Sequence, residues 1–159
     1  MSSETASGRP QPAASPPTSP ASGEVNLSPA WRWLGLQLVE SADGSAVVEM
    51  KPTPEMANSM GFVHGGMISA LADSSMGRAL RTIEPGVVRS MSFDLKLSFI
   101  SAAKVGETLR ATGRVVHAGR RTAVTESRIE GPGGRLVATA SATFAITRQK
   151  GITEGSDAD

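Results

Sequence analysis

The sequence predicts an α+β fold in which a curved antiparallel sheet wraps around one long helix. Only one long segment, within residues 58–81, has helical periodicity, and most of the remainder has the alternation of strands joined by short turns. Consecutive strands with short turns pair antiparallel, and the helix has to cover the apolar face of their sheet. One helix covers six predicted strands only if the sheet curls around it. We expect the remaining apolar surface to form a subunit interface.

The predicted domain spans residues 25–148, between two polar tails. Residues 1–24 are rich in Ser, Pro, Ala, Thr and Gly and contain almost no large apolar side chain. Such a segment cannot bury enough surface to offset its ordering entropy, so we expect it to be disordered. Residues 149–159 form the second polar tail.

The first predicted elements are a short helix and a β-hairpin. Ser28 is a capping residue that precedes a proline, and a glycine ends the segment seven residues later. We expect Trp31 and Trp33 on this helix to cover an edge of the core. The hairpin follows as two strands around a turn rich in Ser, Asp and Gly, at residues 36–40 and 46–51.

The central stretch of the chain combines a glycine-rich loop with the long helix. The loop carries Asn58 and His64 before two glycines. On the helix, small residues and one acid share a stripe roughly 40–60° wide. The stripe comprises Gly66, Ala70, Asp73 and Gly77. Because another backbone can approach such a stripe closely, Asp73 is either a desolvated functional acid or a hydrogen-bonded structural one, whereas a lone helical Asp is more often a solvated surface charge.

Four strands follow the helix. The first alternates apolar with polar residues, which predicts a half-buried strand. Its apolar set is Met91, Phe93, Leu95, Leu97 and Phe99, and its polar set is Ser90, Ser92, Asp94, Lys96 and Ser98. Two further strands are predicted at 108–116 and 122–129, with a turn at 117–120 between them. A second turn at 131–134 leads into a last strand that has alternate apolar residues from Leu136 to Ile146.

Composition excludes several classes of function. The net charge is +1, so no strongly basic surface argues for nucleic acid, and the aromatic residues are too few for a stacking platform. No apolar run is long enough to span a membrane. The chain has no cysteine and only two histidines, so we expect no metal and no cofactor, and the lack of cysteine fits a cytoplasmic protein.

Three segments together resemble a known family. Asn58, the run Gly61-Phe-Val-His64-Gly65-Gly66 and the run Leu71-Ala72-Asp73 have the residues and spacing of the hotdog-fold acyl-CoA thioesterases of the phenylacetate-degradation (PaaI-like) type. The segment 99–107 is similar to that family's strand-to-strand turn, and the resemblance covers residues 27–147. It implies a hotdog fold, cofactor-independent hydrolysis of an acyl-CoA to free acid and coenzyme A, and a homodimer that pairs into a dimer of dimers.

The resemblance also implies a role for each residue of the site. Gly65 would offer its backbone N–H to the thioester carbonyl. Asp73 of the neighbouring subunit would be the nucleophile or the general base that activates water. Asn58 would orient the water or the substrate, His64 would hold the loop, and Ser92 would help to position water.

Other residues are candidates for binding the substrate. Gly66 follows Gly65 at the start of the helix, where unpaired amides favour a developing oxyanion. Apolar residues near the loop and helix predict the acyl pocket, and its methionines suit a tolerant pocket for aromatic or medium-chain acyl groups; the candidates are Met60, Phe62, Met67 and Met76. Arginines near turns are candidates for the phosphates of coenzyme A; they are Arg89, Arg120 and Arg121.

Alternative interpretations stay open at the level of sequence. A glycine pair before a helix also serves as a tight entry turn, Asn58 as a turn residue, and exposed arginines at turns are common. The same fold permits a non-catalytic protein that binds acyl-CoA or another small ligand. A third alternative is an interaction protein whose N-terminal tail carries the function.

Overall fold

The computed structural model describes residues 28–83 and 86–148, so the two predicted tails, 1–24 and 149–159, lie outside the described residues. Within the described part, two α-helices and six strands follow one another in the predicted order. The helices are α1 (Pro29–Leu34) and α2 (Gly65–Ala79), and the strands are β1 (Gln37–Ala42), β2 (Ser45–Met50), β3 (Val87–Phe99), β4 (Leu109–Ala118), β5 (Thr122–Glu130) and β6 (Leu136–Arg148).

The six strands form one antiparallel sheet in the order β1-β2-β4-β5-β6-β3. Helix α2 packs on one face of this sheet and contacts every strand. Six strands at about 4.8 Å spacing span roughly 24 Å, twice the diameter of a helix, so the sheet has to curve around α2 to make these contacts. The predicted α+β class with a hotdog arrangement is confirmed.

Helix α1 forms for the predicted reason but buries only one of its tryptophans. The side chain of Ser28 accepts a hydrogen bond from the Trp31 N–H, and Gly35 ends the helix in the left-handed conformation. Trp31 packs against the core, whereas Trp33 is 70% exposed, so the prediction was wrong for Trp33. Residues two apart on a helix point about 200° apart, and this short helix presents only one side to the core.

Helix α2 is fixed against the middle of the sheet by a close backbone approach. A Cβ atom on Gly113 of β4 would collide with the backbone carbonyl of Ser75. The Ser75 hydroxyl donates to the Ala72 carbonyl at 2.8 Å, so its oxygen accepts the bond from the Ser127 hydroxyl of β5, also at 2.8 Å. This contact, made two residues beyond Asp73, sets how closely α2 packs against the sheet.

Strand β3 does not keep the predicted alternation. Its register against β6 shifts between Ser92 and Asp94, which inserts Phe93 as the extra residue of a β-bulge. The two residues assigned to the apolar face before the shift, Met91 and Phe93, are 73% and 63% exposed. The single apolar face predicted for β3 was therefore wrong, because the bulge exchanges the two faces midway along the strand.

Two turns also differ in detail. Strand β4 continues through His117 and Ala118 past a register shift after Val115, so the β4–β5 turn lies later than the predicted 117–120. The β1–β2 hairpin closes with the two-residue turn Asp43–Gly44, both at positive φ, which is the geometry that matches the twist of paired strands.

Candidate active site

The loop before α2 is organised by the side chain of Asn58. Its Oδ1 accepts hydrogen bonds from the N–H groups of Met60, at 2.9 Å, and Phe62, at 3.2 Å. The backbone N–H of Asn58 donates to the Phe62 carbonyl at 2.7 Å, and Gly61 supplies the positive φ that the turn requires. Asn58 therefore shapes the loop through its carbonyl oxygen, while its NH₂ group takes no part in these two bonds.

His64 is the capping residue of α2. Its Nδ1 accepts a hydrogen bond from the Gly66 N–H at 2.9 Å, and its own N–H donates to the Met56 carbonyl at 2.8 Å. Because Nδ1 is an acceptor, a neutral imidazole carries its proton on Nε2, and the His64 residue is exposed. The same bond occupies the amide of Gly66, so that amide is not available to a ligand.

Gly65 begins α2 with an unpaired amide. No described residue accepts a hydrogen bond from its N–H, which is one of the donors that every helix N-terminus leaves open. A Cβ atom at this position would lie 3.0 Å from Cζ of Phe99, so the aromatic ring lies directly against the glycine. The helix start thus combines a free donor, the positive end of the helix dipole and an aromatic wall.

Gly65 lines a shallow groove of about 360 Å³. Apolar side chains from the loop, α2 and the end of β3 form most of the wall. The lining residues are Asn58, Met60, Phe62, Val63, Gly65, Ile68, Phe99, Ile100, Ser101, Ala102 and Ala103. Phe62 and Met60 lie where the acyl pocket was predicted. Met76 is fully buried in the core and was wrongly assigned to the pocket, because its side of α2 faces the sheet.

The wall formed by residues 100–103 is held by Arg135. Its Nη1 donates to the Ser101 hydroxyl at 2.9 Å and to the Ala102 carbonyl at 2.6 Å, and its Nη2 pairs with the Glu107 carboxylate at 2.6 Å. Glu107 also accepts from the Lys104 N–H at 3.1 Å. One planar guanidinium thus ties together both ends of the connection between β3 and β4.

Asp73 lies apart from the groove. It follows Gly65 by eight residues on the same helix, which is about 12 Å along the axis. Its Oδ1 is buried and has no hydrogen-bond partner among the described residues. Gly77, one turn later on the same stripe, faces Phe144 of β6, so Asp73 lies on the side of α2 that faces β6 and β3.

Ser92 reaches the helix side of the sheet only because of the bulge in β3. It lies opposite Phe144, which is buried beneath α2, although its polar parity predicted the opposite face from Leu95 and Leu97. Ser92 and Asp73 are therefore on the same side of the sheet. Neither lines the groove beside Gly65 in one chain.

The three candidate arginines lie at the other end of the molecule. Arg89 is opposite Thr147 near the end of β6, and the Arg121 carbonyl accepts from the neighbouring Ile146 N–H, with Arg120 beside it. Ten residues of β3 separate Arg89 from Phe99, which is about 33 Å in a strand. The sequence did not predict this separation, and within one chain these side chains do not meet the groove.

The same end carries the last turn of α2, which is also basic. Burial lowers the pKa of the Arg78 guanidinium, and the positive charge of Arg81 lowers it further. The Nε of Arg78 is buried without a hydrogen-bond partner among the described residues. We call the set Arg78, Arg81, Arg89, Arg120 and Arg121 the basic end.

The described residues contain neither a cluster of metal ligands nor a membrane-spanning helix. No group of three or more His, Cys, Asp or Glu side chains there could hold a metal ion. No helix among the described residues is long and apolar enough to cross a membrane.

Several groove residues escaped the sequence-based prediction. Phe99 was assigned to the covered face of a strand, and the segment 100–103 was noted only as a turn. One signal could have identified them: the segment is apolar and comes directly after a long strand. An apolar connection at the end of a sheet is exposed unless another group packs on it, so such a segment is a candidate binding surface. Nothing local in the sequence links Arg135 to the turn it holds.

Comparison with known proteins identifies the family. The thioesterase superfamily model matches residues 60–138. Human acyl-coenzyme A thioesterase 13 is 33% identical over 104 residues, which are 65% of this chain and 74% of that protein. Among solved structures, the Escherichia coli PaaI protein has a TM-score of 0.70 at 26% identity over 74% of this chain and 83% of its own. A hypothetical thioesterase from Streptococcus pneumoniae, solved with coenzyme A, has a TM-score of 0.67 at 27% identity over 72% of this chain and 88% of its own. These similarities confirm the resemblance seen in the sequence: the chain belongs to the thioesterase superfamily and is a thioester hydrolase.

Proposed function

We propose that the protein hydrolyses a small aromatic or medium-chain acyl-CoA to the free acid and coenzyme A. The observation that carries this proposal is the unpaired N–H of Gly65, a residue that begins α2 and lines an apolar groove. A thioester carbonyl needs such a donor when its oxygen becomes negative during attack. The relatives named for acyl-CoA hydrolysis, and the similar structure solved with coenzyme A, support the choice of substrate.

In the proposed reaction, the carbonyl oxygen of the substrate accepts a hydrogen bond from Gly65. Asp73 either attacks the carbonyl carbon directly or takes a proton from a water molecule that attacks it. The carbon–sulfur bond then breaks and the thiolate of coenzyme A leaves. If water is the nucleophile, the proton that Asp73 took passes to the thiolate and the free acid forms directly. If Asp73 is the nucleophile, water hydrolyses the resulting acyl–Asp73 anhydride, which releases the free acid, restores the carboxylate and supplies the proton for the thiolate. The NH₂ group of Asn58, the Nε2–H of His64 and the hydroxyl of Ser92 are the donors that would orient the carbonyl or the water.

This chemistry requires two copies of the chain. Reacting atoms have to lie about 3–3.5 Å apart, whereas Gly65 and Asp73 are separated by about 12 Å of helix. The site is therefore completed by Asp73 of one subunit and Gly65 of the other. The small residues beside Asp73 leave room for this close approach.

The exposed edge of β3 is the surface we propose for the dimer. Among the described strands, β3 pairs with β6 alone, so no described strand covers its other edge, and Met91 and Phe93 are more than half exposed. Antiparallel pairing of two β3 strands across a two-fold axis would bring the start of one strand to the end of the other. A dimer of dimers, implied by the resemblance, remains a proposal that light scattering can test.

The dimer also gives the arginines a role. Antiparallel pairing of β3 would place Arg89 of one subunit near Phe99 of the other, and with it the basic end. A positive end beside the groove would bind the phosphates of coenzyme A while the acyl group enters the groove. We propose that Arg89, Arg120 and Arg121 serve the neighbouring subunit in this way.

The size and lining of the groove indicate which acyl groups it accepts. Its volume is at the small end of ligand sites, which suits a phenyl ring or a medium-length chain. Phe62 and Phe99 offer aromatic surfaces, and Met60 adapts to different shapes. The long saturated chains of membrane lipids would extend beyond it.

Release of free thiol from a panel of aryl- and alkyl-CoA esters tests the proposal. We expect turnover of small aromatic or medium-chain esters, and loss of about 10² or more in kcat for Asp73→Asn with the substrate still bound. Calorimetric binding of acyl-CoA without thiol release by the wild-type protein would instead favour the non-catalytic alternative. Wild-type turnover in Asp73→Asn would overturn the role given to Asp73.

A further inference from the structure

Strand β3 changes face in its middle, and its neighbours on β6 show where. Directly opposed residues of antiparallel strands share a face of the sheet. Leu95 lies opposite Ala142 and Ser92 opposite Phe144, and both β6 residues are buried on the helix side. Leu95 and Ser92 are three residues apart, so strict alternation would put them on opposite faces. Phe93, the extra residue of the bulge, makes them share one.

The bulge is tied to β6 by a side chain. Asp94 lies opposite Thr143, on the outer face of the sheet, and its Oδ1 accepts a hydrogen bond from the Thr143 N–H at 3.1 Å. A bulge locally disrupts the ladder, and the backbone groups it displaces need other partners. The Asp94 carboxylate supplies one, through a charge-assisted bond that is stronger than a bond between neutral groups.

We propose that Asp94 is a positioning residue that holds the bulge of β3 and so keeps Ser92 on the helix side of the sheet, where Asp73 lies. The inference rests on the proposed function in one respect, since it takes Ser92 and Asp73 as parts of the same site. Without the bulge, and with Asp94 kept on the outer face, Ser92 would lie two residues away on that outer face as well. Asp94 therefore acts on the reaction through the orientation of Ser92.

A direct role of Asp94 in the reaction is excluded by its place in the sheet. The face that bears Asp94 is turned away from α2, from Asp73 and from the groove. Lys96 provides a matched control, because it lies two residues further along the same strand, on the same face, and is also exposed to solvent. Removal of its side chain takes away a charge without touching the bulge.

The first test measures the bulge without substrate. Amide hydrogen exchange at Thr143 should accelerate about tenfold or more in Asp94→Ala, since its acceptor is lost. Asp94→Asn keeps a carbonyl oxygen at the same distance and should retain the protection. Asp94→Glu keeps the charge but misplaces the oxygen, so it should behave like Asp94→Ala and serves in its place if that variant does not fold. Unchanged exchange in Asp94→Ala and Asp94→Glu would overturn the proposal.

The second test is a double-mutant cycle on the rate of thiol release. We expect Asp94→Ala to lower kcat about tenfold or more with little change in KM, because misplacement of an orienting group weakens the chemical step. Asp94→Asn should restore most of the rate, and Lys96→Ala should have the wild-type rate. In a Ser92→Ala background, Asp94→Ala should not lower kcat any further, as expected if Asp94 acts through Ser92.

The outcomes separate this inference from the proposed function. An equal loss of kcat from Asp94→Ala with and without Ser92 would show that Asp94 acts by another route, and so would a normal rate in Ser92→Ala beside a slow Asp94→Ala. Either result would overturn the inference while the thioesterase activity stands. Absence of thiol release by the wild-type protein would instead refute the proposed function, and the exchange at Thr143 would still decide whether Asp94 holds the bulge.

Discussion

The groove beside Gly65 and the edge beside Asp73 differ in how completely one chain satisfies them. In the groove, the carbonyl of Asn58, the Nδ1 of His64 and the guanidinium of Arg135 all have partners within the chain. At the edge, the Asp73 Oδ1 is buried without a partner among the described residues, and Met91 is 73% exposed. An unpaired buried oxygen is costly. The side chains that shape the groove therefore have their partners within one chain, whereas the edge is where we propose that the second subunit binds.

The largest expected effect is on kcat, and it distinguishes two properties of Gly65: its backbone N–H donor and its lack of a side chain. Gly65→Pro deletes the donor at the first helical position, which proline favours, and His64 has the extended conformation (φ −62°, ψ 135°) that a residue before proline adopts. Gly65→Ala adds the same Cβ against Phe99 but keeps the donor. We expect kcat of Gly65→Pro to be lower than that of Gly65→Ala by about 10²–10³. Rates within a few fold of each other would show that this amide does not bind the oxyanion.

The second prediction concerns stability, and it tests whether the contact with β4 sets how closely α2 packs against the sheet. Gly113→Ala places a Cβ against the Ser75 carbonyl, so α2 has to move away from the sheet. We expect a loss of about 1–3 kcal/mol in the free energy of unfolding, measured by urea denaturation. Gly77→Ala is the control, because its Cβ would meet only Cε1 of Phe144 at an ordinary 3.8 Å, and alanine favours the helix. Equal stability of the two variants would contradict the assigned contact.

The smallest effect concerns the wall of the groove. Arg135→Ala removes the bonds that hold Ser101 and Ala102, so the wall should loosen and KM should rise about fivefold, equivalent to about 1 kcal/mol. We expect kcat to change less, because the reacting groups stay in place. Arg128→Ala is the control, since its ion pair with Glu130 at 2.9 Å lies on the outer face of the sheet. A KM that rises equally in both variants would remove Arg135 from the site.

The loop of the groove could be predicted from sequence, whereas the wall at residues 99–103 and the edge could not. The loop, the helix and the order of strands follow from local signals, such as the glycines around His64 and the periodicity of α2. The face of Ser92 could not be predicted, because it depends on a bulge whose anchor, Thr143, lies about fifty residues away in sequence. The place of Arg89 and its neighbours depends likewise on the pairing of distant strands.

Activity of a mixed dimer tests most directly whether the site is completed across two subunits. Asp73→Asn and Gly65→Pro chains, co-expressed with different affinity tags and purified by both tags in turn, form a dimer that carries one of each. Shared sites predict that Asp73 of the Gly65→Pro chain meets Gly65 of the Asp73→Asn chain, which gives one intact site and about half of the wild-type rate per dimer. A mixed dimer no more active than its two parents would contradict shared sites, because in that case each chain would have to carry its own complete site.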